Sequence, residues 1–592
     1  MNRLYLSILR GFEIAKSRLS SKQFLFISAI IVGLLVGWAV VFLKSFVHLI
    51  FITTTSWDIG QRKYFYVFLP TLGILLTILV IKKVLNGNLQ KGISHIIYAI
   101  VKKSSTIPRQ QTYSQILTSS LTVGFGGSVG LEAPSVITGA ALGANYADLN
   151  GLGYRDKTLL LACGVAASIG AAFNAPIAGV LFTFEVFLID ISISAFTSII
   201  IASVAGALSS KIILKEGILL SFELTEPFNY HNVPYYFILG ILAGMVSVYY
   251  ARMFKKVEST ISTLSLSVYQ KALLGGCLLG ILILFFPPLF GEGYQSIKNL
   301  SLLKPESLLN HSFLQPYQSN DILVLLFVGV LIFIKPIASG LTLGSGGNGG
   351  NFAPSLFVGA YLGYFFAALL NICHIKNLPI NNFTIVGMAG ILSGLYHAPL
   401  TAIFLIAEIT GGYTLMIPLM IVSSIAYAIS KYLQLYSMDT QSLAHYGAVF
   451  THDRDHNILT TLKTKDLVET NFQRIHLHTT FEEFLIVIVQ SKRNIFPVVD
   501  EEGKLLGIIL LDDIRHLVVN PEDNKHIKIK TIMTLPPAIV RLNDSMGSVM
   551  EKFDKLQVWN LPVVDNDQYV GFISKSGILS LYRNQLKDLT II

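Results

Sequence analysis

Charge is scarce in this sequence. Only 13% of its 592 residues are Asp, Glu, Lys or Arg, where an ordinary soluble domain has about a quarter. Together with 52% hydrophobic residues and a mean hydropathy of +0.61, that shortage excludes a soluble globular chain. Cysteine is nearly absent too. Cys163, Cys277 and Cys373 are scattered through apolar stretches without metal-ligand spacing, so neither a disulfide framework nor a metal centre is implied. The net charge of +9 contains no long basic run. It reads as Lys and Arg on one side of a membrane, not as a nucleic-acid surface. No cleavable signal peptide is apparent after the apolar run 24–43. No nucleophile–base set stands out, so the reading is not an enzyme.

What is present is a series of apolar segments long enough to span a bilayer. They lie at about 24–52, 64–83, 112–148, 158–190, 195–213, 235–251, 272–290, 322–338, 353–371, 384–409 and 413–434. Several contain Gly or Pro, the mark of helices that stop partway through. Residues 1–22, with five basic residues among apolar ones, read as an amphipathic cytoplasmic helix. Residues 291–320 read as a long extramembranous loop. From about 446 onward the composition is that of a soluble domain.

The apolar part repeats internally. Gly126, Gly127, Gly130, Ala133-Pro134-Ser135, Gly139 and Gly143 recur 220 positions later as Gly346, Gly347, Gly350, Ala353-Pro354-Ser355, Gly359 and Gly363. A second block, Gly164, Ala175-Pro176 and Glu185, recurs as Gly387, Ala398-Pro399 and Glu408. An odd number of spans per repeat would make the halves inverted. The soluble tail repeats as well. Phe496-Pro497-Val498-Val499-Asp500 with Gly507-Ile508-Ile509 matches Leu561-Pro562-Val563-Val564-Asp565 with Gly571-Phe572-Ile573, two small α/β modules.

Glu132 is the residue on which function turns. An ionisable side chain at membrane depth costs several kcal/mol and is read as part of a substrate or proton path. The glycines before it suit an irregular backbone, and Pro134 suits a first helical turn. The bare N–H groups and positive dipole of that helix start form an anion site, and a carboxylate beside it competes with the anion. A phosphate-binding loop is the other reading of such glycines, but no Gly-Lys-Ser/Thr follows.

These motifs resemble the CLC family of chloride channels and chloride/proton exchangers, with a C-terminal pair of CBS modules. Gly130-Leu131-Glu132-Ala133-Pro134 resembles the family's Gly-Arg/Lys-Glu-Gly-Pro, whose glutamate is the external gate. Gly350-Asn351-Phe352-Ala353-Pro354 is similar to its Gly-x-Phe-x-Pro, where backbone N–H groups hold the anion. Tyr436 falls where the family has a central-site tyrosine, though by itself it also fits an interfacial aromatic. The resemblance therefore implies Glu132 as gate and Gly130, Asn351, Phe352 and Tyr436 as anion-binding residues.

The sequence departs from the family in three places. The family's Gly-Ser-Gly-Ile-Pro is matched by Gln90-Lys91-Gly92-Ile93-Ser94. Lys91 then stands at the central-site serine, either holding the anion or snorkelling to the cytoplasmic surface. Val186 stands where exchangers carry an internal proton glutamate, which favours a channel. Each CBS module holds half of a nucleotide motif, Asp513 in the first and Ser574 in the second. An adenine nucleotide there is doubtful, and no other cofactor is implied.

The sequence therefore predicts a polytopic all-α membrane protein, a CLC-type inverted repeat with broken helices, followed by an α/β CBS pair. The expected bounds are 23–445 for the membrane domain, with repeats at about 60–215 and 235–436. The cytoplasmic tail is 446–592, with modules at about 463–520 and 528–585. The expected function is chloride transport by a homodimer in the lipid bilayer of the cell's inner membrane, through a glutamate-gated, channel-like path without nucleic acid. The alternatives are a proton-coupled chloride antiporter, a fluoride or nitrate transporter, and a membrane sensor read out by the tail.

Overall fold

The computed structural model describes residues 20–56, 65–187, 193–214, 227–441, 462, 464–519 and 524–590. The expected N-terminal amphipathic helix, up to residue 19, and the junction at 445–446 lie outside the described residues. The chain forms two compact units, Met1–Ser442 and Leu443–Ile592.

The first unit is helical. A long helix, α1 (Ser21–Ser56), precedes the first repeat: α2 (Leu69–Lys83), α3 (Ser94–Lys102), α4 (Gln111–Gly124), α5 (Glu132–Leu149), α6 (Tyr154–Phe173), α7 (Pro176–Phe187) and α8 (Ile193–Leu214). The second part holds α9 (Val233–Thr263), α10 (Val268–Phe285), α11 (Tyr294–Ser301), α12 (Asp321–Gly344), α13 (Phe352–Ile372), α14 (Ile380–Tyr396), α15 (Pro399–Ile409) and α16 (Met416–Leu433). Among the described residues eight helices are long and apolar enough to cross a membrane. Three of the apolar stretches, 112–148, 158–190 and 384–409, are each broken into two helices. The breaks have local causes. After α6 and α14 the chain turns through left-handed Asn174 and His397, both at φ 55°, and a proline then opens the next helix.

The shared glycines are packing devices. A Cβ on Gly139 would collide with the Gly164 carbonyl, and one on Gly359 with the Gly387 carbonyl. Thus α5 lies directly on α6, and α13 on α14, in the same way in both repeats. The repeats also exchange carboxylates. Glu185 of α7 accepts hydrogen bonds from Leu400 N (2.9 Å) and Thr401 N (2.7 Å) at the start of α15. Glu408 of α15 accepts from Ile177 N (3.1 Å) and Ala178 N (2.8 Å) at the start of α7.

The second unit contains two three-stranded sheets. In one, β1 (Ile475–His476) pairs parallel with β2 (Ile495–Val499), which pairs antiparallel with β3 (Leu505–Leu510). The other repeats this with β4 (Val540–Arg541), β5 (Asn560–Asp565) and β6 (Gln568–Ser574). Each β2–β3 or β5–β6 hairpin leads into a helix, Leu511–Val519 or Lys575–Thr590. The modules exchange edges, since Glu469 bridges Phe572 and Thr534 bridges Ile508. Phe472, Val499, Ile508, Tyr569 and Phe572 fill the apolar seam between them.

Candidate anion pathway

The site is built where the two repeats touch. Gly130 and Gly350, counterparts 220 residues apart, pair as an antiparallel bridge, each N–H donating to the other's carbonyl at 2.8 Å. α5 and α13 begin two residues further on, at Glu132 and Phe352. The first N–H groups of a helix have no partner within it, so this junction gathers two sets of bare donors in one place.

Glu132 folds back onto that junction and is buried, 4% exposed. Its Oε2 accepts from Ala353 N at 3.4 Å, at the start of α13, and its Oε1 accepts from the Tyr294 hydroxyl at 2.5 Å. Gly130 permits this posture, because a Cβ there would collide with the Glu132 carboxylate. Phe352 sits in an aromatic collar. Phe173, Tyr396 and Phe182 lie 5.4, 5.5 and 6.1 Å from it between ring centroids. Asn351 is fixed through its Oδ1, which accepts from the Tyr250 hydroxyl at 3.0 Å. A cavity of about 1230 Å³ opens onto Glu132 and is lined also by Lys44, Leu131, Phe173, Glu292 and Tyr294.

The other residues singled out from the sequence fall differently. Lys91 is half-buried, and its Nζ donates to the carbonyls of Gly346 (3.0 Å) and Gly347 (2.8 Å). It caps the turn after α12 in place of snorkelling to a surface. Val186 is buried in α7, 5% exposed. Tyr436 is half-buried beyond α16, and among the described residues no hydrogen bond or ring contact joins it to Phe352 or Glu132. Tyr396 is the tyrosine that packs on Phe352. In the second unit Asp513 is exposed, whereas Ser574 is buried and its hydroxyl donates to Glu469 Oε1 at 2.6 Å.

Four residues of the site were not singled out from the sequence: Glu292, Tyr294, Lys335 and Tyr396. Glu292 Oε1 accepts from Leu131 N at 3.1 Å. Lys335, fully buried in α12, donates to Ser128 Oγ at 2.8 Å and the Gly291 carbonyl at 3.3 Å. The sequence reads 291–294 as the start of an extramembranous loop. It enters the site instead, because Gly291 N donates to the Gly126 carbonyl at 3.1 Å. A charged lysine in the middle of the α12 apolar run was the one available signal.

A helical membrane unit with broken helices meeting head to head, joined to a paired α/β module, defines the class of this protein. The chain belongs to the voltage gated chloride channel family, whose model matches residues 73–431, and CBS domain models match 465–520 and 529–584. It is 26% identical over 575 residues to the chloride channel protein CLC-e of Arabidopsis thaliana, covering 85% of this chain and 77% of that one. It is 28% identical over 333 residues to the voltage-gated ClC-type chloride channel ClcB of Escherichia coli O17:K52:H18, covering 56% of this chain and 75% of that one. Among solved structures, a slow cyanobacterial Cl−/H+ antiporter superposes with a TM-score of 0.61 at 22% identity, over 72% of this chain and 98% of that one.

Proposed function

We propose that this chain moves chloride across a membrane along the junction of the two repeats, with Glu132 as the gate. One observation carries the reading: the Glu132 carboxylate accepts from Ala353 N at the start of α13, beside the Gly130–Gly350 bridge. A halide crossing there needs those same donors in place of its hydration shell. Carboxylate and chloride exclude one another. A proton on Glu132 removes the competing charge and releases the donors, so flux rises as pH falls. The chain works as a homodimer in the cell membrane, with the CBS pair in the cytoplasm. Val186 carries no proton, which favours a channel. The test is chloride efflux from reconstituted vesicles across a pH series. E132Q is expected to give high, pH-insensitive flux, and an unchanged pH dependence overturns the assignment.

A second reading, proton-coupled exchange by another internal route, is favoured by one feature. Met438 N donates to the Leu395 carbonyl at 3.2 Å. Asp439 is thereby set within electrostatic reach of Tyr396, which in turn lies within reach of Glu132. The solved relative named above is a Cl−/H+ antiporter. A chloride gradient that drives protons uphill in vesicles selects this reading, and its absence selects the channel.

A further inference from the structure

The short turn 292–294 touches the gate twice. Tyr294 donates to the carboxylate of Glu132, while Glu292 takes the N–H of Leu131, the residue before it. The Leu131 N–H stands at the very start of α5, the donor that a carboxylate or anion at that helix end would otherwise claim. With that donor already bound, Glu132 reaches across to α13. Each helix start at the repeat junction therefore carries a carboxylate, Glu292 on α5 and Glu132 on α13, and the two face the same cavity.

We infer that Glu292 is a positioning residue for the gate: its carboxyl group, anchored on Leu131 and sharing the cavity with Glu132, sets the pH at which the pair takes up a proton and the helix starts are freed. The inference rests on Glu132 being the gate. Two carboxylates sharing one site resist simultaneous ionisation, so the pair takes up its first proton more readily than a lone Glu132 would. Lys44 of α1 and Lys335 of α12 oppose this, both within electrostatic reach of Glu292. Tyr294 and Tyr396 face Glu132, and His48 and His311 line the cavity. Lys335 is held on Ser128 Oγ and on the carbonyl of Gly291, directly before Glu292, so its amine sits against the same turn.

The experiment is chloride efflux from vesicles against pH for wild type, E132Q, E292Q, E292D and Y294F. E292Q keeps an oxygen for Leu131 N and deletes only the charge. Its activation midpoint is expected to fall by about one pH unit, the size of a single like charge at close range in a partly screened site. E292D retains the charge and the wild-type midpoint. Y294F removes a donor to the ionised gate and moves the midpoint up. A merely structural Glu292 changes the amount of active protein at a fixed midpoint, and that result overturns the inference. E292S, also neutral, carries the same expectation and decides the matter if E292Q does not assemble. If E132Q leaves the pH dependence intact, the gate assignment fails and this inference falls with it. If E132Q abolishes it while E292Q leaves the midpoint unmoved, only this inference fails.

Discussion

Glu185 and Glu408 occupy equivalent places in the two repeats, and each is bound to the start of the other's helix. Glu185 accepts from Leu400 and Thr401, and Glu408 accepts from Ile177 and Ala178. A carboxylate at a helix N-terminus satisfies orphan donors and meets the positive end of the dipole. The pair is thus a reciprocal clasp between repeats.

The clasp makes a stability prediction. Hydrogen bonds to charged groups contribute about 1.5–3 kcal/mol each, so E185A or E408A should destabilise the helical unit by about 2–4 kcal/mol after partial relaxation. Thermal unfolding in detergent reads this directly. The pH profile of chloride flux should stay where it is in the folded fraction, and a shifted profile would count against a purely structural clasp.

Gly130 offers a test of the gate that leaves the carboxylate in place. An added methyl group occupies the space of the Glu132 carboxylate in its folded-back position. G130A should therefore displace it, raising flux at neutral pH toward the E132Q level. In an E132A background the same change should add nothing, since the displaced group is gone. Additive effects in the double variant would refute the shared mechanism.

Lys91 divides two roles cleanly. Its ammonium is spent on the Gly346 and Gly347 carbonyls, on the loop that leads into the second anion motif. K91M leaves both carbonyls without that donor and should cost about 1–3 kcal/mol of stability. Chloride should still stabilise the variant against heat as it does the wild type. Loss of chloride protection in K91M would instead make the lysine an anion ligand.

The CBS pair makes a prediction of its own. Ser574 donates to Glu469, and Glu469 is ion-paired with Arg493 at 2.7 Å, whose guanidinium also lies 4.6 Å from the centre of the Phe472 ring. With that hydroxyl engaged and Asp513 facing outward, adenine nucleotides at millimolar concentration should leave the melting temperature of the full-length protein unchanged. A saturable upward shift that S574A abolishes would show that the network opens to admit a nucleotide.

Much of this arrangement was legible because it is written in residues of special backbone character. Gly126 to Gly143 and their second-repeat counterparts carry the broken helices and the close contacts of α5 on α6 and α13 on α14. Glycine and proline at fixed spacing leave few other readings. The Gly-led strands of the tail were readable for the same reason. The surroundings of the gate were not. Glu292 and Tyr294 come from a segment more than 150 positions downstream of Glu132, and only tertiary folding brings them there. Tyr396 hides in a run of helix-packing residues, and its ring contact with Phe352 follows from how α14 lies on α13. Lys91 was visible but its partners were not, because carbonyls on a turn 255 residues away carry no signature in a one-dimensional pattern.

The bridge between Gly130 and Gly350 limits how such a protein can switch. Backbones tied by a reciprocal pair of N–H···O hydrogen bonds cannot part without breaking both, so the two helix starts stay together at this junction. If Glu132 is the gate, as proposed, permeation is regulated by rotation about a few side-chain torsions with little rearrangement of the scaffold. On that proposal, a rigid frame with a swinging acid responds as fast as protons arrive, with no wait for helices to slide.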